Sequence, residues 1–266
     1  MHAHFLDPYR DGTSPVHRLD PRVKLPLAVA FIVTAALLPP GAWPAYVLLF
    51  AVAFSVVLVS GLGAGYVYKR TLLAAPFVIA ALPLLFTLDG PALWTTRVGP
   101  WTITLTEPGL VRFLSVALKS WLSVQVAIVL AGATSFPDLL VAMRALKLPR
   151  LLVAVVGLMW RYLFVLVDEV LRILRARDAR SGQPAERVGR IGGSIPWRAR
   201  VTGGMAGSLM LRSFDRSERI YAAMASRGYD GEVRGFARPP VPPLAWAALA
   251  GGLLFLALIL LLGLVS

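Results

Sequence analysis

The stretch LAWAALAGGLLFLALILLLGLV, Leu244 to Val265, decides the fold. It carries no charged side chain. A hydrocarbon core of about 30 Å takes about 20 apolar residues at roughly 1.5 Å each, so the stretch predicts a membrane-spanning helix. Four more spans follow by the same reasoning. Leu110 to Ala133 predicts one that contains Lys119, a charge that lipid penalises unless it lies near an end, snorkels or faces protein. Thr71 to Leu88 predicts another, kinked where Pro76 and Pro83 remove backbone donors. Leu25 to Leu38 and Ala45 to Ser60 predict a helical hairpin turned by Pro39-Pro40-Gly41. Asp89 to Gly109 reads as an external loop, in which Trp94, Trp101 and the alternating Thr102-Ile103-Thr104-Leu105 predict a small interfacial hairpin. The expected fold class is all-α, with about five membrane helices and a long cytoplasmic segment between the fourth and fifth.

Composition agrees with lipid as the solvent: 57% of residues are hydrophobic and 15% charged. Of the 27 Lys and Arg residues, 18 fall between Thr134 and Pro243, against 14 acidic residues in the whole chain. Four more precede the first span, and Lys69 with Arg70 follow the second. The positive-inside rule therefore puts the N-terminus and the basic segment in the cytoplasm and the C-terminus outside. Met1 to Lys24 lacks the basic start, apolar core and small-residue cleavage site of a secretory signal and reads as a retained cytoplasmic segment. With no cysteine in the chain, disulfides, thiolate metal sites and a cysteine nucleophile are excluded.

Within the basic segment, Ser135-Phe136-Pro137-Asp138 opens a short amphipathic helix. Leu151 to Val167 is apolar up to Trp160-Arg161-Tyr162 and is expected on the membrane surface, since a crossing would bury Arg161 at mid-depth. From Leu163 to Leu174 an apolar stripe predicts a helix, with Asp168 and Glu169 spaced to pair with Arg172. It ends near Arg180-Ser181-Gly182. Gln183 to Arg200 reads as a loop, and a further helix carrying Met210, Phe214, Ile220, Tyr221 and Met224 ends at Ser226-Arg227-Gly228. Two helices thus finish on an arginine among small residues, a shape suited to entering a groove and gripping carboxylates. The simpler account of either arginine alone is a favourable charge at a helix C-terminus.

Ser14-Pro15-Val16-His17-Arg18-Leu19-Asp20-Pro21-Arg22-Val23-Lys24-Leu25, Trp160-Arg161-Tyr162 with Asp168-Glu169, Leu211-Arg212-Ser213-Phe214, and the block Glu218 to Gly231 resemble the transmembrane T component of energy-coupling-factor transporters, nearest its cobalt-type CbiQ branch. The resemblance implies a non-catalytic scaffold joining two cytoplasmic ABC ATPases (CbiO-like) to a substrate-binding membrane subunit (CbiM-like, with a CbiN-like small subunit). It implies no cofactor on this chain, ATP being held by the partners. It also implies two Ala-Arg-Gly-like motifs that contact the ATPases, at Ala179-Arg180-Ser181 and Ser226-Arg227-Gly228. Ser181 departs from the family glycine, with Arg175 and Arg177 close by, and Ser226 departs from the alanine. The expected organisation is a cytoplasmic segment 1–24, a four-span domain 25–133, a coupling-helix domain 134–243 and a final span 244–266, in the plasma membrane. Cobalt(II) is the expected cargo, with nickel or a vitamin as the alternative.

Other chemistries fit less well. His2, His4 and His17, with Asp7 and Asp20, invite a metal reading but sit on a segment with no evident fixed second shell. No phosphate-binding G-x-x-x-x-G-K-[ST] occurs. Asp168 and Glu169 point about 100° apart on a helix, which suits ion pairing better than joint acid–base work. A membrane enzyme acting on lipid or an isoprenoid needs clustered carboxylates, and the acidic residues here are scattered. A basic surface for RNA or anionic lipid would not require regular apolar stripes, and nucleic acid is not an expected partner.

Overall fold

The structure is a computed structural model that describes residues 8–98, 101–180, 194–231 and 240–265. The chain divides into two compact units, one formed by residues 8–146 with 238–266 and the other by 147–237.

The first unit is a membrane bundle. After a single turn, α1 (Pro15–Arg18), helix α2 (Pro21–Leu37) starts where the Asp20 carboxylate accepts the Arg22 N–H at 2.8 Å. Pro21 sits in the first turn, where no donor is required. Helix α3 (Trp43–Ser60) ends at Gly61, whose φ of 68° is the left-handed conformation glycine adopts freely. The expected third span is broken into α4 (Ala64–Thr71), a 3-10 turn (Leu72–Ala74), α5 (Ala75–Ala81) and α6 (Leu84–Thr87), and the breaks fall beside Pro76 and Pro83. Strands β1 (Ala92–Val98) and β2 (Trp101–Thr106) form the small antiparallel hairpin, pairing Thr95 with Thr104 and Val98 with Trp101. Helix α7 (Glu107–Ala133) is capped by the Thr106 hydroxyl, which accepts the Gly109 N–H. Helix α8 (Phe136–Ala145) packs against α2, so residues 134–146 fall with the membrane bundle. Helix α11 (Pro243–Val265) closes the unit.

Helices α2, α3, α7 and α11 share the core. Phe31, Ala35 and Leu38 meet Tyr46, Leu49 and Ala53, with Leu122, Leu256 and Ile259 completing the cluster. α11 lies close on α2 because Gly252 and Gly263 face it: a Cβ at Gly252 would overlap Leu27, and one at Gly263 would overlap Leu38. Small residues at a contact let helices approach where burial of apolar surface from water supplies no drive.

Helix ends are the costly parts of such a bundle, because their carbonyls and amides lack intrahelical partners and lipid supplies none. Lys119 meets this need. Its Nζ donates to the carbonyls of Ala36 and Leu38 at the end of α2, so the charge faces protein. In the same turn the Gly41 N–H donates to Ser115 Oγ at 3.1 Å, and the Tyr46 hydroxyl donates to Pro39 O at 3.0 Å. Lys24 serves the opposite end of α7. It is buried, and its Nζ donates to Ala133 O and His17 O, each at 3.1 Å.

The segment before α2 is tied down by the same economy. The Arg10 N–H donates to Gly132 O at 2.9 Å, while its guanidinium lies 3.6 Å from the centre of the Tyr66 ring, which Arg70 also covers at 4.4 Å. His17 Nε2 is 3.0 Å from Arg10 O, and since a carbonyl only accepts, Nε2 carries the proton. Nδ1 is then the acceptor for the Ser14 hydroxyl at 2.7 Å. Both ring nitrogens are committed, and Asp20 is committed as the cap of α2. His2, His4 and Asp7 lie outside the described residues.

The second unit holds α9 (Arg150–Arg180) and α10 (Ile195–Ala225). Two expectations are corrected here. The surface piece Leu151–Val167 and the striped helix after it are one continuous 31-residue helix. It contains no proline between Pro149 and its end, and Arg161 is exposed. The loop expected over Gln183–Arg200 is helical from Ile195, because Pro196 falls in the first turn, where proline is tolerated.

Five helices among the described residues are long and apolar enough to cross a membrane: Trp43–Ser60, the interrupted Ala64–Thr87, Glu107–Ala133, Arg150–Arg180 and Pro243–Val265. The membership differs from expectation. α9 qualifies, and α2, at 17 residues and thus ~26 Å, is the short one.

The cap role of the two lysines predicts that Lys24→Met and Lys119→Met each destabilise the bundle by about 1–3 kcal/mol, because each leaves two carbonyls short of a donor. Thermal unfolding of the detergent-solubilised protein should show a lowered midpoint for both; an unchanged midpoint would remove that role.

Candidate coupling site

The site is built on α9 and α10. Two clefts lie between these helices, and their linings fix the geometry. The first, of about 620 Å³, sets Glu169, Ala176 and Arg180 of α9 opposite Arg212, Met205 and Trp197 of α10. The second, of about 400 Å³, sets Leu151, Leu158 and Tyr162 opposite Tyr229, Met224 and Ile220. Advancing along α9 therefore means retreating along α10. The helices are antiparallel and cross between the clefts, near Glu169 and Arg212. Their C-termini point in opposite directions from that crossing. The helical rise puts Arg180 about 17 Å from it along α9 and Ala225 about 20 Å along α10.

Arg180 is exposed at the last described position of α9 and also lines the first cleft. Ala179 beside it is exposed, and Ser181 lies outside the described residues. Of the neighbouring arginines, Arg177 is engaged locally: its Nε and Nη2 reach the same oxygen of Asp178 at 3.0 and 2.7 Å. Arg175 is exposed on a face that lines neither cleft.

At the other end the chain makes a two-bond C-cap. The Tyr229 N–H donates to Met224 O at 3.1 Å and the Gly228 N–H to Ala225 O at 3.0 Å, with Gly228 at φ 78°. Tyr229 and Met224 line the same cleft, the apolar contact that accompanies such a cap. Arg227 sits inside this closure, its N–H held by Met224 O at 3.1 Å while the residue is exposed. The Ser226 hydroxyl donates to Ala223 O at 3.1 Å, within its own helix.

The crossing is held by a carboxylate. Glu169 is buried at 7% relative exposure, and its oxygens face Arg212 at 3.0 Å, Arg172 at 3.4 Å and Arg216 at 4.0 Å. A buried charge is tolerated only when paired, which explains why an acidic residue sits where the two helices meet. The expected pairing of Glu169 with Arg172 is present. The expected pairing of Asp168 with Arg172 is not: Asp168 is exposed and makes no ion pair among the described residues, and the Arg172 guanidinium is turned to Glu169 instead. The cross-helix pairing of Glu169 with Arg212 and Arg216 was not read from the sequence. Their four-residue spacing, which puts two cations on one face of α10, is the signal that was available.

No group of three His, Asp or Glu suited to a metal ion occurs among the described residues. The arrangement offers grip and leverage, with no paired acid and base and no ligand cluster.

The family model described as cobalt transport protein, CbiQ, matches residues 12–238. The cobalt transport protein CbiQ of Rhodobacter capsulatus is 29% identical over 167 residues, 62% of this chain; the match spans 65% of that relative, just under two thirds of its length. The energy-coupling factor transporter transmembrane protein EcfT of Lacticaseibacillus paracasei is 28% identical over 85% of each chain. The protein of the same name from Bacillus subtilis is 26% identical over 92% of this chain and 91% of its own.

The left-handed conformation at Gly228 predicts that Gly228→Ala costs about 1 kcal/mol and frays the end of α10. Hydrogen exchange at the Gly228 and Tyr229 amides should accelerate in the variant while the middle of α10 keeps its protection. Equal protection in both proteins would rule this cap out.

Proposed function

The chain belongs to the CbiQ family of cobalt transport proteins, and from that membership we propose that it is the membrane coupling subunit of an energy-coupling-factor importer, transmitting the ATPase cycle of two cytoplasmic subunits to a substrate-binding membrane subunit. It is a multi-pass membrane component of a transporter and not an enzyme. The observation that carries the coupling role is the pair of exposed arginines, Arg180 and Arg227, at oppositely directed C-termini of two crossed helices. Two separate partners can each receive one arginine without competing for the same face. Guanidinium groups favour acidic grooves, and Arg227 sits at the negative end of the α10 dipole, where a cation is already stabilised.

In this reading Ala179, Arg180 and Ser181 form one ATPase contact, and Ser226, Arg227 and Gly228 the other. Their surroundings support Arg180 over its neighbours for the first contact, since Asp178 already engages Arg177. ATP is bound by the partners, which are CbiO-like ATPases, and substrate by a CbiM-like subunit with its CbiN-like companion. In this reading the excess of basic residues in 134–243 and in the N-terminal segment supports a cytoplasmic position for both by the positive-inside rule, with the C-terminus outside; α9, though long and apolar enough to cross, stays on that side. Cobalt(II) is the favoured cargo because the matching family model carries that description. The longer matches are to EcfT proteins, whose names specify no cargo, so nickel or a vitamin stays the alternative.

Charge reversal at both contacts is the test. With Arg180→Glu and Arg227→Glu together, the protein should still insert, while co-purification of the ATPases falls by at least about tenfold, the equivalent of 1.4 kcal/mol, and cobalt(II) uptake by the complete complex is abolished. Wild-type co-purification and uptake in the double variant would end the proposal. Uptake of nickel or a vitamin in place of cobalt(II) by the intact complex would reassign the cargo alone.

A further inference from the structure

Glu169 serves two arginines on α10, and we infer that it is the positioning residue of the coupling step: a shared anion that passes between Arg212 and Arg216 as α10 shifts along α9, keeping the crossing closed in both arrangements. The inference rests on the coupling role proposed above and adds the contact through which motion at Arg180 and Arg227 becomes motion of the pair.

Three observations carry it. First, the charges are unequal. A single buried carboxylate faces three guanidiniums, of which Arg172 belongs to its own helix and only Arg212 and Arg216 link it to α10. Second, the two cross-helix cations stand one turn apart, about 6 Å by the helical rise. Glu169 Oε1 is already at 3.0 Å from Arg212, and Oε2 faces Arg216 at 4.0 Å, on the outer limit of an ion pair. A shift of part of a turn shortens the second contact as it lengthens the first. The buried charge is never left without a partner, and that removes the main electrostatic barrier to sliding. Third, the surface of α10 around this point is built to slip. Ser208, Ser213 and Ser217 line the clefts, yet each hydroxyl donates to a carbonyl of its own helix, Met205, Leu209 and Phe214 respectively, at 2.7 to 2.8 Å. The serines present small, satisfied side chains to α9 and no competing lock.

The two arginines therefore have opposite roles. Removing Arg216 leaves Glu169 fixed on Arg212, and removing Arg212 drives it to Arg216. Glu169→Gln removes the link in both arrangements.

The experiment uses the complete complex in proteoliposomes, with cobalt(II) uptake and ATP hydrolysis measured on the same preparations. Glu169→Gln should lower uptake per ATP hydrolysed by about tenfold or more, as expected for breaking a buried ion pair, while the ATPases still co-purify. The double variant Arg212→Gln/Arg216→Gln should match it, and adding Glu169→Gln to that double should cost nothing further. Because the natural chain has no cysteine, a spin-label pair at Ala176→Cys and Met205→Cys, both lining the first cleft, reads the arrangement directly, even in variants that no longer transport. Distance distributions should differ between the nucleotide-free complex and the complex with a non-hydrolysable ATP analogue. Arg212→Gln and Arg216→Gln should displace the distribution in opposite directions. Displacement in the same direction, or a Glu169→Gln complex with a wild-type ratio of uptake to hydrolysis, overturns the inference. Failure of the wild-type chain to retain ATPases would instead strike at the coupling role itself.

Discussion

A helix that stops inside or beside a membrane leaves carbonyls and amides that neither its own turns nor lipid can satisfy, and the first unit is organised around meeting that demand from neighbouring helices. Lys119 of α7 finishes α2, and Lys24 of α2 finishes α7, so each helix closes the other's end. Ser115 and Tyr46 complete the intervening turn. The lysines that look most out of place in an apolar sequence are thus cross-braces. Their exchange fixes the axial register of α2 against α7, and Gly252 and Gly263 then let α11 settle on α2.

The same rule reappears in the second unit with a different outcome. There the group that must be satisfied is a side-chain carboxylate, and its cross-helix partners sit on a helix whose cleft-lining serines are turned back on their own backbone. Backbone caps hold one geometry because carbonyls are fixed in place. An ion pair with two neighbouring cations holds a contact without fixing its position. Rigidity in one unit and adjustable attachment in the other both follow from keeping polar groups partnered.

Much of this was legible in the sequence. Leu244–Val265 and Leu110–Ala133 appear as helices, the prolines at 76 and 83 mark real breaks, and Thr102–Leu105 lies in a strand. The helix end at Ser226-Arg227-Gly228 was readable because glycine suits the left-handed closing conformation best. The continuity of α9 was not, since the charges from Arg161 to Glu169 interrupt its hydropathy without interrupting its backbone. Nor was the purpose of His17 visible, because its partners are a serine hydroxyl and a carbonyl seven residues back. Glu169 was matched to the cation one turn away, while its strongest partner stands 43 residues further along. Local spacing identifies partners on one helix; it is silent about those that folding brings from another.

Two antiparallel helices that cross near their middles map onto each other, approximately, by a half-turn about an axis through the crossing. Here that axis passes close to Glu169, and it exchanges one C-terminal arginine for the other. The two helices thereby acquire a local pseudo-twofold at their arginine ends. Any partner assembled as a twofold dimer meets the same helix polarity and the same guanidinium at each half, although the residues around them differ. A mismatch between this asymmetric chain and any such symmetric partner would be resolved within two helices, and the rest of the fold would be free to remain asymmetric.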